Sequence, residues 1–205
     1  MPETTAAEKL YITADELLAD SFRLGMKIFD SGYRPTYIVG IWRGGTPVGI
    51  AVQELLDFCG VKTDHIAIRT SHYTGIGTTT SRVRVHGLNY IVRQVNAEDS
   101  LLIVDDVYDT GHSIQQVIED LRSKCRKNTP EIRIATVYCK PARCIPSSVP
   151  HYYLHETDHW LVFPHEIAGL TVSEMLTRKP GINAVRDRLV ALRRDAGNPE
   201  TVRSA

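Results

Sequence analysis

Apolar residues recur at helical spacing at Leu17, Leu18, Phe22, Leu24, Ile28 and Phe29, directly behind Thr13-Ala14-Asp15-Glu16. A threonine followed three residues later by glutamate is a capping box, which predicts a helix with Thr13 at the N-cap and Gly32 past its end. Residues 1–10 carry no such pattern and read as a polar tail. Residues 37–41 are a short continuous apolar run, the pattern of a strand buried on both faces. Gly44-Gly45 ends that run. Pro47 suits the first turn of a helix whose apolar face is Val48, Val52, Leu55, Leu56 and Cys59, closed by Gly60.

The same alternation continues. Residues 65–69 and 101–104 read as strands, Ile114, Val117, Ile118 and Leu121 as one face of a helix, and residues 132–139 as a further strand. Residues 152–154 and 160–163 are short strand candidates. Thr171 to Glu174 is a second capping box, Pro180-Gly181 breaks the chain, and a charged helix is predicted at about 184–195. Residues 71–82 (SHYTGIGTTTSR) hold two glycines and three consecutive threonines without apolar periodicity. They read as a mobile loop flanking a ribbon built from residues 83–85 and 88–92. Apolar strands alternating with amphipathic helices predict an α/β fold, a Rossmann-like, mostly parallel sheet covered by helices on both faces. In such sheets ligands bind beyond the carboxyl ends of the strands.

Composition narrows the class. At 205 residues the chain suits one domain with an elaboration, and it needs no disulfide or metal to fold. Twenty-four basic residues balance twenty-four acidic ones, so overall charge gives no support to a nucleic-acid or anionic-membrane partner. The arginines 186, 188, 193 and 194 alternate with Asp187 and Asp195, as on a solvated helix face. No stretch has the ~20 apolar residues of a membrane span, and the first ten residues lack the features of a signal peptide. Cysteines 59, 125, 139 and 144 form no CxxC pair and read as free thiols in a reducing compartment. A cytoplasmic protein is expected.

The densest chemistry lies in LLIVDDVYDTGHS, residues 101–113. A buried strand runs into Asp105 and Asp106, Asp109 follows, and Thr110-Gly111-His112-Ser113 opens a helix. Backbone N–H groups and hydroxyls at a helix N-terminus favour a phosphate. Two carboxylates at the strand end can hold adjacent sugar hydroxyls or approach Mg2+. A ribose 5-phosphate has both features. The segment resembles, over its whole length, the thirteen-residue phosphoribosyl-pyrophosphate motif of the type I phosphoribosyltransferases.

That resemblance implies a Rossmann-like core with a small hood. The core would span about 36–145 and the hood about 10–32 and 150–180, followed by the C-terminal helix, within one domain of residues 1–205. It also implies transfer of ribose 5-phosphate from phosphoribosyl pyrophosphate (PRPP) to a base, with Mg2+ present and pyrophosphate released. By position, Asp105 and Asp106 would hold the ribose hydroxyls, residues 109–113 the 5-phosphate, and Asp109 would exchange a proton with the base. Ile41-Trp42-Arg43-Gly44-Gly45 resembles the family's pyrophosphate loop, implying a cis peptide at Trp42–Arg43 and roles for Arg43 and Gly44. The loop at 71–82 resembles the flexible loop that closes over the reacting centre. The adjacent Ser-Tyr of the 6-oxopurine enzymes is here Ser71 and Tyr73, separated by His72.

Lys140, at the end of a buried strand, resembles the lysine of the hypoxanthine, guanine and xanthine branch that donates to the purine 6-oxo group. An ammonium favours a carbonyl and disfavours an exocyclic amine. Trp160 resembles the branch's stacking aromatic, the backbone at Leu161 would meet the purine 2-position, and Glu166 resembles the acidic metal partner beside Asp105 and Asp106. His165 departs from the commonest versions. The expected partners are PRPP, pyrophosphate, a free purine base and its nucleoside monophosphate, with no nucleic acid and no membrane. A homo-oligomer, dimer or tetramer, is the family habit. Hypoxanthine, guanine and xanthine all stay open. So do a PRPP- or nucleotide-sensing regulator on this fold, another base, and a Mg2+-dependent phosphohydrolase.

Overall fold

The computed structural model describes residues 9–73, 82–144 and 149–196. Strand β1 (Lys9–Tyr11) precedes helix α1 (Ala14–Asp30). Then come β2 (Tyr37–Trp42), α2 (Gly45–Phe58), β3 (Asp64–Tyr73), β4 (Arg82–His86) and α3 (Asn89–Gln94). Strand β5 (Ser100–Tyr108), α4 (His112–Cys125), β6 (Glu131–Cys139), β7 (Tyr152–Glu156) and β8 (Trp160–Val162) follow. The described part closes with α5 (Val172–Arg178), a 3-10 turn (Pro180–Val185) and α6 (Arg186–Ala196). Six strands form one sheet in the order β4-β3-β2-β5-β6-β7, parallel throughout except for β4 at the edge.

Both predicted capping boxes are present. Thr13 Oγ1 accepts from the Glu16 amide, and Glu16 Oε2 accepts from the Thr13 amide at 2.8 Å. Thr171 and Glu174 repeat the arrangement at α5. The run 37–41 is buried on both sides of the sheet. Ile38, Leu102, Val104 and Val137 pack under Leu24 and Ile28 of α1 and Val48, Val52 and Leu56 of α2. On the opposite face Val39, Ile41 and Ile103 pack against Ile91 of α3 and Val117 and Leu121 of α4. Each such fully buried aliphatic side chain contributes about 1.5–3 kcal/mol.

Four expectations are corrected. Residues 88–92 form no ribbon strand but lie at the start of α3, because Leu88, Ile91 and Val95 recur at helical spacing and are buried. Gly87, at φ +95°, turns the chain between β4 and this helix. The loop expected at 71–82 is shorter, since β3 runs through Tyr73 and pairs with β4 from Arg82. The rest of it, residues 74–81, lies outside the described residues. Residues 152–154, assigned to the hood, belong to β7, the edge of the main sheet. The tail expected at 1–10 ends in β1, which pairs in parallel with β8 as a separate two-stranded sheet (Lys9 with Trp160, Leu10 with Leu161).

That small sheet is clasped by α5. Lys9 Nζ lies 2.6 Å from Glu174 Oε1, and the Tyr11 hydroxyl donates to the same oxygen at 3.0 Å. The Lys9 hydrogen bond, followed by those from Thr171, holds the Glu174 carboxyl down from 4.5 to about 2. A depressed folded-state value favours folding at pH above the unfolded one, and the contribution is lost as pH falls through the folded one. The stability gap between the native protein and Glu174→Gln in urea unfolding is therefore full above about pH 4.5 and closes toward about pH 2. A gap of constant size across that range would remove Glu174 as the clasp.

Candidate active site

From β2 the chain moves through α2 to β3 on one side of the sheet, whereas β5 leads through α4 to β6 on the other. The winding direction therefore reverses between β2 and β5, and a crevice opens at their carboxyl ends. Into it come the turn after β2, with Arg43, Gly44 and Gly45, and the end of β5, with Asp105 to Asp109. The Trp42–Arg43 peptide is cis, as the resemblance implied.

The two glycines are explained by closeness. A Cβ on Gly44 would sit 1.8 Å from Asp106 Oδ2, and one on Gly45 2.3 Å from the Val104 carbonyl oxygen and 2.8 Å from Asp105 Cα. At Gly45 the obstacle is backbone, which cannot swing aside. Gly45→Ala is expected to destabilise the protein by about 1–3 kcal/mol in urea unfolding. Gly181→Ala, with nothing within 4 Å of its added methyl, serves as the neutral control. Equal unfolding midpoints for the two variants would contradict the packing argument.

Asp105 and Asp106 sit at the crevice floor. The Asp106 amide donates to Asp105 Oδ1 at 3.0 Å, and the Val107 amide to Asp106 Oδ1 at 2.8 Å. Burial pushes both carboxyls up from the ordinary carboxylate range, and the Asp106 charge adds to the effect on Asp105. A bound cation or hydroxyl donors would relieve that cost. His165 Nε2 stands 3.8 Å from Asp106 Oδ2, its ring stacked on Phe163, and burial lowers its pKa.

Gly111 is the N-cap of α4 in the left-handed conformation, φ +84°, and a Cβ there would meet the Tyr108 hydroxyl at 2.3 Å. Only glycine fits this position on both counts. The Gln115 amide makes the first helical bond, to the Gly111 carbonyl, at 2.9 Å. The amides at 112–114 precede it at a helix N-terminus, with the Thr110 and Ser113 hydroxyls beside them.

Asp109 is held from the neighbouring strand. Its Oδ2 lies 3.0 Å from Arg143 Nη1 and 3.9 Å from Lys140 Nζ, while its buried Oδ1 has no hydrogen-bond partner among the described residues. Lys140 is buried, and its amide donates to the Tyr108 carbonyl at 2.9 Å, registering the end of β6 beside the end of β5. Pro141 stops the strand. The following turn, with the Arg143 amide on the Lys140 carbonyl at 3.0 Å, returns Arg143 to Asp109.

A cavity of about 220 Å³ is lined by Asp106, Val107, Asp109, Lys140, Arg143, Trp160, Leu161, Phe163 and Glu166. Six of the residues singled out in the sequence thus share one space. Trp160, 61% exposed, stands at its mouth, with Leu161 buried behind it. Glu166 Oε2 accepts from the Phe163 amide at 3.1 Å. Ser71 is not brought into this cavity, because it lies in the β3–β4 ribbon with its hydroxyl 3.2 Å from His86 Nε2. Tyr73 is the last residue of β3. Sequence reasoning gave no site role to Arg143, His165 or Tyr108. For Arg143 the available signal was a second cation three residues past Lys140, across a proline.

Fold and crevice together define a Rossmann-like α/β protein with a candidate ligand site at the switch point of its sheet. The sequence model described as the phosphoribosyl transferase domain matches residues 10–167, and the chain belongs to that family. No curated protein matches it by sequence. Among solved structures it is similar to a purine phosphoribosyltransferase from Pyrococcus horikoshii Ot3, at 29% identity and TM-score 0.60, covering 80% of this chain and 97% of that one. A Neisseria gonorrhoeae protein with bound ppGpp shares 19% identity at TM-score 0.67, covering 86% and 98%. A xanthine-guanine-hypoxanthine phosphoribosyltransferase of Helicobacter pylori shares 17% at TM-score 0.63, covering 78% and 95%. The last two likenesses are of fold alone.

Proposed function

We propose that the protein is a purine-salvage phosphoribosyltransferase that transfers ribose 5-phosphate from PRPP to a 6-oxopurine, releasing pyrophosphate. The observation that carries this reading is the single cavity in which the Asp106 carboxylate, the Asp109 carboxylate and the buried Lys140 ammonium face one another under Trp160. Sugar, reacting nitrogen and base carbonyl would each meet a group of matching chemistry there.

In this reading the α4 N-terminus and the hydroxyls of Thr110 and Ser113 hold the 5-phosphate. Asp105 and Asp106 accept hydrogen bonds from the ribose hydroxyls, and Arg43 with the Gly44 amide faces the pyrophosphate. Trp160 stacks on the purine, the Leu161 backbone meets its 2-position, and Lys140 donates to its 6-oxo oxygen. The purine nitrogen attacks C1 as the C1–pyrophosphate bond breaks, and Asp109 accepts the proton the base gives up. Ser71 and Tyr73 stand at the base of the segment that would cover the site.

Asp105, Asp106 and Glu166 offer hard oxygen donors. The raised carboxyls of Asp105 and Asp106 fit a Mg2+ that arrives on the substrate and borrows one or two carboxylates. Such an ion would neutralise charge on the leaving pyrophosphate. Among the described residues no group of three or more His, Cys, Asp or Glu side chains is gathered around a common point.

The test is a panel of hypoxanthine, guanine, xanthine, adenine, uracil and orotate, each with PRPP and Mg2+, scored for nucleotide and pyrophosphate. Equimolar nucleotide and pyrophosphate with one or more 6-oxopurines is expected. Release of phosphate, or turnover confined to adenine or a pyrimidine, would overturn the reading.

A further inference from the structure

Two thiols flank the turn that carries Lys140 and Arg143. Cys139, 1% exposed, is the last residue of β6, and Cys144 is half-buried at the far side of the turn. Their sulfurs are 3.7 Å apart. The Cys144 thiol also lies 3.2 Å from the Lys140 carbonyl and 3.4 Å from the Asp109 carbonyl, so it fastens the turn to the loop after β5. Base-side groups and thiols thus share one short hairpin of chain. The Cys144 amide on the Lys140 carbonyl at 3.2 Å keeps that hairpin tight.

We propose that Cys139 and Cys144 are a reversible disulfide site, whose closure draws Arg143 away from Asp109 and lowers transfer to the base. This regulation rests on the functional reading above, whereas the disulfide itself does not.

The chemistry needs a small disulfide such as oxidised glutathione. Cys144, the accessible thiol, loses its proton and its thiolate attacks one glutathione sulfur, expelling a glutathione thiolate. The Cys139 thiolate then attacks the Cys144 sulfur of the mixed disulfide and expels the second glutathione. Two protein thiols are oxidised, one glutathione disulfide is reduced to two glutathione thiols, and the protons given up by Cys144 and Cys139 end on those two thiols. Burial pushes the Cys139 thiol up to about 12, so at rest it stays a thiol and Cys144 receives the first exchange. The second step is intramolecular, which compensates for the scarce Cys139 thiolate.

Closure has a geometric consequence. A disulfide holds its sulfurs at ~2.05 Å, so the pair must approach by roughly 1.7 Å from the present 3.7 Å. Cys139 is fixed within the sheet, its carbonyl accepting from the Thr157 amide at 3.0 Å, so the movement falls on Cys144. The S–H that reaches the Asp109 and Lys140 carbonyls is consumed. Arg143, the next residue back, is drawn with Cys144 and leaves its 3.0 Å contact with Asp109. A displacement of about 1 Å in a positioned group costs up to ~100-fold in rate.

The full chain is equilibrated with oxidised glutathione, then followed by intact mass, by peptide mapping and by steady-state transfer. The expected result is a loss of two hydrogens mapped to a peptide containing residues 139 and 144. A fall of about tenfold or more in kcat/KM for the base accompanies it, reversed by dithiothreitol. Cys144→Ser keeps the reduced rate and loses the response. A stable glutathione adduct on Cys59 or Cys125 without the 139–144 bond overturns the site. A mapped 139–144 bond with unchanged kcat/KM overturns the switch and leaves the functional reading standing. If the reduced protein transfers to no base, the functional reading fails by itself, since the mass readout is independent of turnover.

Discussion

Asp109→Asn lowers kcat by about 10²–10⁴-fold while PRPP affinity stays close to that of the native protein. Asparagine keeps the size of the side chain and one oxygen to accept from Arg143, which stands 3.0 Å from Asp109 Oδ2. What it loses is the ability to take a proton. In the proposed reaction the attacking purine becomes electron-deficient as it bonds to C1, and a carboxylate beside it relieves that charge by accepting hydrogen. Asp109 lines the same cavity as Lys140 and Trp160, which puts its carboxylate within reach of a base bound there. In that reaction the 5-phosphate would be held by amides and hydroxyls of the helix start rather than by this carboxylate, so binding and turnover would separate. Single-turnover kinetics with calorimetric PRPP titration checks both sides. Near-native turnover, or a loss of PRPP affinity matching the loss of rate, would remove Asp109 from proton transfer.

The parts of the fold legible in the sequence are those whose information is local. Thr13 with Glu16 and Thr171 with Glu174 each announce a helix start within four residues, and both are realised as capping boxes. The run 37–41 reads as a doubly covered strand because every residue in it is apolar or glycine. Residues 88–92 misled because Leu88, Tyr90 and Val92 also alternate with period two. The helical period emerges only when Val95 is counted with Leu88 and Ile91, and burial of those three decided the outcome. Strand β1 was illegible for another reason. Three residues, Lys9 to Tyr11, become a strand only because β8, about 150 positions away, supplies the partner and Glu174 the clasp. In the site, the Asp105-to-Ser113 segment is contiguous and so readable. The pairing of Arg143 with Asp109 joins the ends of two neighbouring strands, and no spacing within one segment encodes it.

Lys140→Ala is expected to lower kcat/KM for a 6-oxopurine by about 1.5–3 kcal/mol, roughly 10–150-fold, and to shrink discrimination against adenine. The Lys140 side chain is only 9% exposed, and its nearest anion among the described residues, Asp109 Oδ2, is 3.9 Å away, beyond a hydrogen bond. An ammonium taken out of water and left without a close partner is costly, so an incoming carbonyl oxygen gains more there than it would from a solvated lysine. Adenine presents an amine at that position, donor against donor, and the native protein is expected to reject it for that reason. Truncation removes the attraction and the repulsion together, so the preferred base loses rate while adenine does not. The fold should tolerate the change, because Asp109 retains Arg143 at 3.0 Å and so keeps a cation beside it. Competition kinetics with hypoxanthine and adenine in one tube reads the ratio directly. A uniform loss for both bases would mean that Lys140 serves the architecture of the β6 end and not the choice of base.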